Sequence, residues 1–146
     1  MEGIAFYMDP QSMIIQSDTL VVKCSLVEAF DFLSQPANIE FLLPKERVSD
    51  FKSDEQRCEF KVQGGIVISL MFQEKHEEGI LYKSGSKAPF PFTLQITVKS
   101  IEGGIEGYLR FNGEAPAMVA MLAKNPLTAL FNDMGQNLKK RLEEQG

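Results

Sequence analysis

Apolar and polar residues alternate over most of the stretch from residue 47 to residue 113. Successive side chains of a β-strand point to opposite faces, so this alternation predicts strands with one buried face and one face in water. A first extended strand, SMIIQSDTLVVKC, is predicted ahead of this stretch. Six later segments follow the alternation: RVSDFKS, RCEFKVQ, GGIVISLMFQEK, ILYKS, FTLQITVKS and IEGYLRFNG. About seven strands, most of them joined by short turns, predict an antiparallel sheet with one covered face.

Two short helices are predicted between the first strand and the other six. Ser25 stands three residues before Glu28, as in a capping box, and apolar residues at helical spacing follow. Pro36 ends this helix and suits the first turn of a second one, which Pro44 ends in turn. We expect the two helices to form a pair close to a right angle.

A helical pattern with two prolines occupies the end of the chain. Pro116 suits a first helical turn, whereas Pro126 would interrupt a continuous helix, with Asn125 before it as a candidate N-cap. We therefore expect a short helix near 116–124, a break, and a long helix near 126–143. The long helix has one apolar stripe, which is predicted to face the sheet: Leu127, Leu130, Phe131, Met134, Leu138 and Leu142.

Length and composition favour one globular domain. The chain has 146 residues, 44% of them hydrophobic and 24% charged, and needs no disulfide or metal for stability. We expect one domain over residues 1–146, with the first dozen residues loosely held. The formal charge of −5 and the lack of a basic stripe argue against nucleic acid as a partner. No apolar run approaches the ~20 residues of a membrane span, and no signal peptide is evident, so we expect a cytoplasmic protein without stable membrane insertion.

Residue types that carry catalysis or bind metals are sparse. Cys24 and Cys58 lack the spacing of a metal site, and we interpret them as buried, reduced thiols. His76 is the only histidine, and in the charged turn EKHEEG it is expected to be exposed and without a role. This argues against Ser-His-Asp, Cys-His and His-ligated metal sites. We predict no catalytic residue, no metal and no cofactor.

The predicted order is one strand, two helices, six strands and a long helix, which describes an α+β helix-grip architecture. In it, a curved antiparallel sheet wraps on the C-terminal helix. Four segments resemble the SRPBCC superfamily, the START-related proteins that include polyketide cyclases, plant pollen-allergen relatives and lipid-transfer domains: SLVEAFDFLSQPANIEFLLP, CEFKVQGGIVISLMF, YKSGSKAPFPFTLQITV and NPLTALFNDMGQNLKKRL. The first is similar to the opening pattern of that superfamily, with Pro36 and Asn38 in place. The likeness spans roughly residues 15–143 and is strongest to small bacterial members without a described activity.

This resemblance implies a cavity between the sheet and the long helix that holds a hydrophobic or amphipathic ligand. Methionine is flexible and polarizable, so a wall that contains it adapts to varied apolar shapes. Tyr82 and Ser84 share an inward register and are candidate polar anchors. A stripe of Met and Phe is more often packed core, so both interpretations stay open for each residue. The expected wall is Phe41, Phe60, Leu70, Phe72, Tyr82, Ser84, Phe92, Leu94, Phe111, Met118, Met121, Leu122, Leu127, Phe131 and Met134.

The segment SGSKAPFPF precedes one of the predicted strands. Pro89 and Pro91 hold Phe90 and Phe92 in an extended form, which favours a rigid entry to the strand. The alternative is a cavity mouth or partner contact, with Lys87 beside it for an acidic head group.

Three functional hypotheses follow. The first is a cytoplasmic carrier that binds a small hydrophobic or amphipathic molecule and has no chemistry of its own. The second is a protein-interaction or chaperone-associated regulatory module with a collapsed cavity, for which a protein partner stays open. The third is a cyclase- or hydrolase-type enzyme that positions a polar substrate atom with Tyr82, Ser84 or a carboxylate in the cavity.

Overall fold

The structure is a computed structural model that describes residues 10–145. Eight strands and three helices make up this part of the chain. Strands β1 (Pro10–Gln16) and β2 (Leu20–Val22) come first, followed by helix α1 (Leu26–Leu33) and a 3₁₀ helix (Pro36–Leu42). The remaining elements are β3 (Val48–Ser53), β4 (Arg57–Val62), β5 (Ile66–His76), β6 (Gly79–Ser84), β7 (Phe92–Ile101), β8 (Gly104–Pro116) and helix α2 (Ala117–Gln145). The expectation of a loose first dozen residues concerns residues 1–9, outside the described range, and residues 10–12, which belong to β1.

All eight strands form one antiparallel sheet in the order β1-β8-β7-β6-β5-β4-β3, and β2 pairs with β8 beyond the end of β1. Strands β3 to β8 are each paired with their neighbours in sequence, as expected for hairpins joined by short connections. The first strand instead pairs with the last, and Ile15 lies opposite Phe111. The predicted helix-grip class is therefore confirmed, with eight strands rather than seven.

The additional strand results from a break in the predicted first strand at residues 17–19. Ser17 donates its backbone N–H to the carbonyl of Leu109 at 2.9 Å, and its side-chain Oγ accepts the N–H of Leu109, also at 2.9 Å. A side chain thus takes the place of a backbone carbonyl in the ladder, so regular pairing with β8 stops there and resumes at Leu20.

Phenylalanine rings join the sheet to α2 in the core. The ring centroid of Phe111 on β8 lies 4.8 Å from that of Phe92 on β7 and 5.4 Å from that of Phe131 on α2. Phe90 adds edge-on contacts at 6.0 Å to Phe92 and 6.2 Å to Phe111. Aromatic pairs at such distances add to the burial of apolar surface. The stripe predicted on the long helix faces this core, since five of its six residues are buried and Leu138 is partly buried.

Helix α2 is continuous, and the break expected at Pro126 is absent. Proline removes the N–H that would bond the carbonyl of Leu122, but Leu122 lies on an exposed part of the helix, where water is available as a partner. Asn125 is therefore an interior helix residue and not an N-cap. Pro116 is the last residue of β8, and the helix begins directly after it.

The two helices before β3 differ in type. The capping box of α1 is present, with Ser25 Oγ accepting the N–H of Glu28 at 3.1 Å and the Glu28 carboxylate accepting the N–H of Ser25 at 3.4 Å. The second helix is 3₁₀, begins at Pro36 as predicted, and is joined to α1 by Asn38, whose amide donates to the carbonyl of Phe32 at 3.0 Å.

Polar side chains of α2 bind backbone groups along the outer edge of β2 and its flanks. Asn132 accepts the N–H of Asp18 at 3.0 Å, and Glu143 accepts the N–H of Lys23 at 3.0 Å. Lys139 donates to the carbonyl of Val21 at 2.6 Å. These bonds satisfy edge groups that a sheet otherwise leaves open and fix the second half of the helix.

A buried hydroxyl attaches α1 to the middle of the sheet. Tyr82 on β6 is fully buried, and its hydroxyl donates to the carbonyl of Leu33, the last residue of α1, at 2.7 Å. Burial raises the pKa of Tyr82 well above its usual value, and the neighbouring Cys58 adds to the effect. The C-terminal end of α1 therefore receives a donor that water would otherwise supply.

We expect Phe131→Ala to lower the free energy of unfolding by about 3–5 kcal/mol, because it leaves a cavity between Phe111 and the helix. Urea unfolding measures this loss. The matched control is Met121→Ala on the same helix, where the side chain is 73% exposed and the change should stay within about 0.5 kcal/mol. Equal losses in the two variants would contradict the proposed role of the ring cluster.

We expect Tyr82→Phe to cost about 1–3 kcal/mol at neutral pH, because the carbonyl of Leu33 loses its buried donor. The pH dependence should change as well. Because the native pKa of Tyr82 is raised, the unfolded chain releases this proton first, and wild-type stability falls as the pH rises above about 10. The variant lacks this contribution, so its stability should decline less steeply, by up to about 1.4 kcal/mol per pH unit. Parallel slopes between pH 10 and 11 would contradict this assignment.

Candidate functional site

An apolar void of about 30 Å³ lies between the sheet and the second half of α2. It is lined by Ser17, Leu20, Val22, Leu33, Ile96, Thr97, Val98, Ile105, Gly107, Tyr108, Leu109, Gly135 and Leu138. A water molecule needs roughly 10–15 Å³ by this measure, and an engineered cavity of about 150 Å³ binds benzene. In this conformation the void is therefore too small for an organic ligand.

Gly135 brings β2 close to α2 beside the void. A Cβ at this position would lie 2.9 Å from Cδ1 of Leu20, which is closer than side-chain carbons approach each other. The obstructing atom is the flexible end of a side chain, so an added methyl group would be accommodated by a small shift of Leu20. The size of the void thus depends on groups that are able to move.

The fifteen residues predicted as a cavity wall occupy three environments. Nine are buried: Phe60, Leu70, Tyr82, Phe92, Leu94, Phe111, Leu127, Phe131 and Met134. Phe72 and Ser84 are partly buried. The other four are exposed: Phe41, Met118, Met121 and Leu122. None of the fifteen lines the void, but six of the buried ones lie on elements that line it, namely Phe92 and Leu94 on β7, Phe111 on β8, and Leu127, Phe131 and Met134 on α2.

The four exposed residues lie in two separate places. Met118, Met121 and Leu122 are 70–73% exposed and occupy the first two turns of α2. Phe41 lies on the 3₁₀ helix near the other end of α2, where the guanidinium of Arg141 is 3.9 Å from the centre of its ring. This cation–π contact accounts for Phe41 without a ligand.

Both predicted polar anchors already have partners within the protein. The hydroxyl of Tyr82 binds the carbonyl of Leu33, as described above. Ser84 Oγ accepts the backbone N–H of Phe92 at 3.1 Å and so fixes the start of β7. A ligand would have to displace one of these bonds to use either group.

The segment SGSKAPFPF forms the connection from β6 to β7. Phe90 and Phe92 are buried in the ring cluster, consistent with the predicted rigid entry to the strand. Lys87 is exposed and makes an ion pair with Glu59 on β4 at 3.4 Å.

His76 and the two cysteines have structural environments. His76 ends β5, and its Nε2 lies 3.2–3.3 Å from the side-chain amide of Gln95. It is partly buried, so the expectation of an exposed residue is wrong. Burial raises the pKa of Cys58 to about 12, and burial also raises that of the partly buried Cys24. Both thiols are weak nucleophiles at neutral pH.

Neither a metal site nor a membrane-spanning helix is found within residues 10–145. No group of three or more His, Cys, Asp or Glu residues is arranged to hold a metal ion. No helix in this range is long and apolar enough to cross a membrane.

The resemblance implies a cavity between the sheet and the long helix, but none of the residues that line the void were predicted from the sequence. Its lining comes from β2, the end of α1, β7, β8 and α2, and most of these residues follow ordinary core patterns. Gly135 was the one available signal, since it interrupts the polar and apolar pattern of the long helix next to Met134.

Comparison with known proteins identifies the fold and not a family. No protein-family model matches the chain, and no curated protein matches it. Solved structures do match it. Norcoclaurine synthase from Thalictrum flavum, in complex with dopamine and hydroxybenzaldehyde, is 15% identical with a TM-score of 0.69, over 99% of this chain and 94% of that chain.

Two further structures are similar over almost their whole length. The KanY protein is 15% identical with a TM-score of 0.71, over 93% of this chain and 99% of that chain. DR_A0006 from Deinococcus radiodurans is 12% identical with a TM-score of 0.58, over 90% and 95%. At these identities the likeness shows the fold alone, and the chain has the helix-grip fold.

Proposed function

We propose that the protein is a cytoplasmic carrier that binds a small hydrophobic or amphipathic molecule between the curved sheet and α2. We also infer that it belongs to the SRPBCC superfamily, among small bacterial members. The observation that carries the binding proposal is the apolar void at the sheet–helix interface. The norcoclaurine synthase complex supports it, because that enzyme has the same fold and holds small aromatic molecules.

The void is placed so that it could expand into the predicted wall. On β7, Ile96 follows Leu94 by two residues, and on β8, Leu109 precedes Phe111 by two. Residues two apart on a strand share a face, so void and wall are continuous along both strands. We propose that a ligand separates α2 from the sheet at the void and contacts the buried part of the wall.

Leu20 and Leu138 are the side chains that would move first. Both line the void, and both are only partly buried, unlike most of the core around them. A shift of their side chains towards solvent would enlarge the void at the surface of the protein. Because the hydroxyls of Tyr82 and Ser84 have partners, we expect apolar contact to supply most of the affinity.

The direct test is native mass spectrometry of gently purified protein, followed by solvent extraction. A stoichiometric apolar molecule is the expected result. A titration with the apolar dye Nile red then tests the location. We expect Gly135→Ala to weaken dye binding, because the methyl group fills the void, and Leu138→Ala to strengthen it, because the void grows.

The control is Met118→Ser/Met121→Ser in the exposed turns of α2. Loss of dye binding in this variant, with no effect of Gly135→Ala or Leu138→Ala, would place the binding on the surface and contradict the internal site. An apo mass together with no dye binding would contradict the carrier proposal as a whole.

The interaction-module hypothesis is a second candidate, and one observation favours it. Met118, Met121 and Leu122 expose about 70% of their surface on two consecutive turns of one helix. Clustered exposed apolar side chains are a common feature of protein–protein interaction sites. The surface outcome of the dye titration would support this candidate.

A further inference from the structure

We infer that the face of the sheet opposite α2 carries a binding site for a small oxyanion, such as the phosphate or carboxylate group of a small molecule. Glu59 on β4 and Ser69 on β5 are paired and alternate with the buried core residues of their strands, so they lie on this opposite face. A groove of about 220 Å³ opens there, lined by Lys52, Ser53, Asp54, Arg57, Cys58, Glu59, Ser69, Ser86 and Lys87.

One wall of the groove is the turn after β6. The turn is closed by the N–H of Ala88, which donates to the carbonyl of Gly85 at 3.2 Å, and Gly85 in turn donates to the carbonyl of Ser69 at 2.9 Å. A Cβ at position 85 would collide with Ser69 Oγ, so glycine allows the turn to lie directly on β5. The turn carries Lys87 over the sheet to Glu59.

The burial of Ser69 distinguishes it from a typical residue on the outer face of a sheet. It is only 4% exposed although it lies on the outer face of the sheet, because the turn covers it. Ser69 lines the groove, and its hydroxyl has no protein hydrogen-bond partner among the described residues. The hydroxyl is not one of the fully enclosed side-chain atoms that lack a partner, so it keeps access to the groove, where a ligand oxygen could replace water as its partner.

Among the charged side chains of the groove, the carboxylates have partners, whereas some of the cationic donors do not. Asp54 already accepts the N–H groups of Gln56 at 2.8 Å and Arg57 at 3.1 Å, and the Nε of Arg57 at 3.0 Å. Glu59 is paired with Lys87. Lys52 has no ion pair within the described part of the chain, and only Nε of Arg57 is engaged.

The lining therefore has three cations, Lys52, Arg57 and Lys87, against two carboxylates that have partners. This local excess of positive charge occurs in a chain of net charge −5. Ammonium, guanidinium and hydroxyl donors that converge on one space are the groups that bind phosphate and carboxylate oxygens. These polar groups would not bind an apolar ligand, so this site is independent of the void beneath α2.

An NMR titration of the ¹⁵N-labelled full chain tests the inference, with inorganic phosphate and acetate as probes at constant ionic strength. We expect saturable shifts of the amide signals of Ser69, Gly85 and Lys87 with at least one probe. A response to phosphate alone assigns a phosphate ligand, and a response to acetate extends the assignment to carboxylates. Weak shifts spread over the basic residues, equal to those caused by chloride, would overturn the inference.

Three variants with different expected signs sharpen the test. Lys52→Ala should weaken binding of the probe about tenfold, because it removes a charge-assisted bond. Glu59→Gln should strengthen it, because Lys87 loses its competing carboxylate. Lys75→Ala, on the same strand as Ser69 but outside the groove, should leave the affinity unchanged.

Ser69→Ala separates a binding role from a structural one. Because the hydroxyl has no described protein partner, the variant should unfold at the same urea concentration as the wild type while it binds the probe several times more weakly. A variant that is less stable but binds the probe normally would assign the hydroxyl to the fold and overturn its place in the site.

Discussion

The long helix α2 covers the part of the inner sheet face formed by β1, β2 and β8, and most of the structure follows from how that helix is held. The contact of Phe131 with Phe111 sets the distance between the two layers in the core. Towards its C-terminal end, Asn132, Lys139 and Glu143 bind backbone groups next to β2, so the helix is also fixed at the edge of the sheet. Its first two turns have no comparable apolar cover, and their methionines are exposed.

The two faces of the sheet offer different chemistry. On the inner face, phenylalanine rings fill most of the space, and the one void described there has an apolar lining next to movable leucine side chains. On the outer face, a turn crosses the sheet and encloses hydroxyl and cationic groups. The two sites use different strands of the sheet, since β3, β4 and β5 line the groove, whereas β2, β7 and β8 line the void.

The strand pattern and the helix-grip order could be predicted from the sequence, because alternation, short turns and the capping box at Ser25 are local signals. The continuity of α2 could not. Proline usually interrupts or kinks a helix, and the exposed position of Leu122, which lets water bond the carbonyl that Pro126 leaves without a partner, is a tertiary feature. The division of the first strand was also hidden, since it depends on Ser17 reaching Leu109, which is 92 residues away.

The candidate site was harder to predict than the fold. The register of Tyr82 and Ser84 indicates that both face inward, but the partners of their hydroxyls, Leu33 and Phe92, are set by tertiary contacts that no local pattern reveals. Ser69 looked like an ordinary outward residue of a strand, and only the position of the turn at Gly85 makes it buried. To predict a pocket, one must know where side chains leave space unfilled, and this depends on packing throughout the protein.

The pairing of the first strand with the last has a consequence for how the chain acquires its structure. Among the described strands, β1 pairs only with β8, so Ile15 has no strand partner until Phe111 has been synthesised. During synthesis, most of the chain leaves the ribosome before this partner exists. Contacts between distant parts of a chain slow folding, because the entropy of closing a long loop is lost before any contact forms. Until β8 and α2 arrive, the apolar residues of β1 and of the hairpins lack their cover. This interval is when the protein is most open to aggregation or to binding by a chaperone.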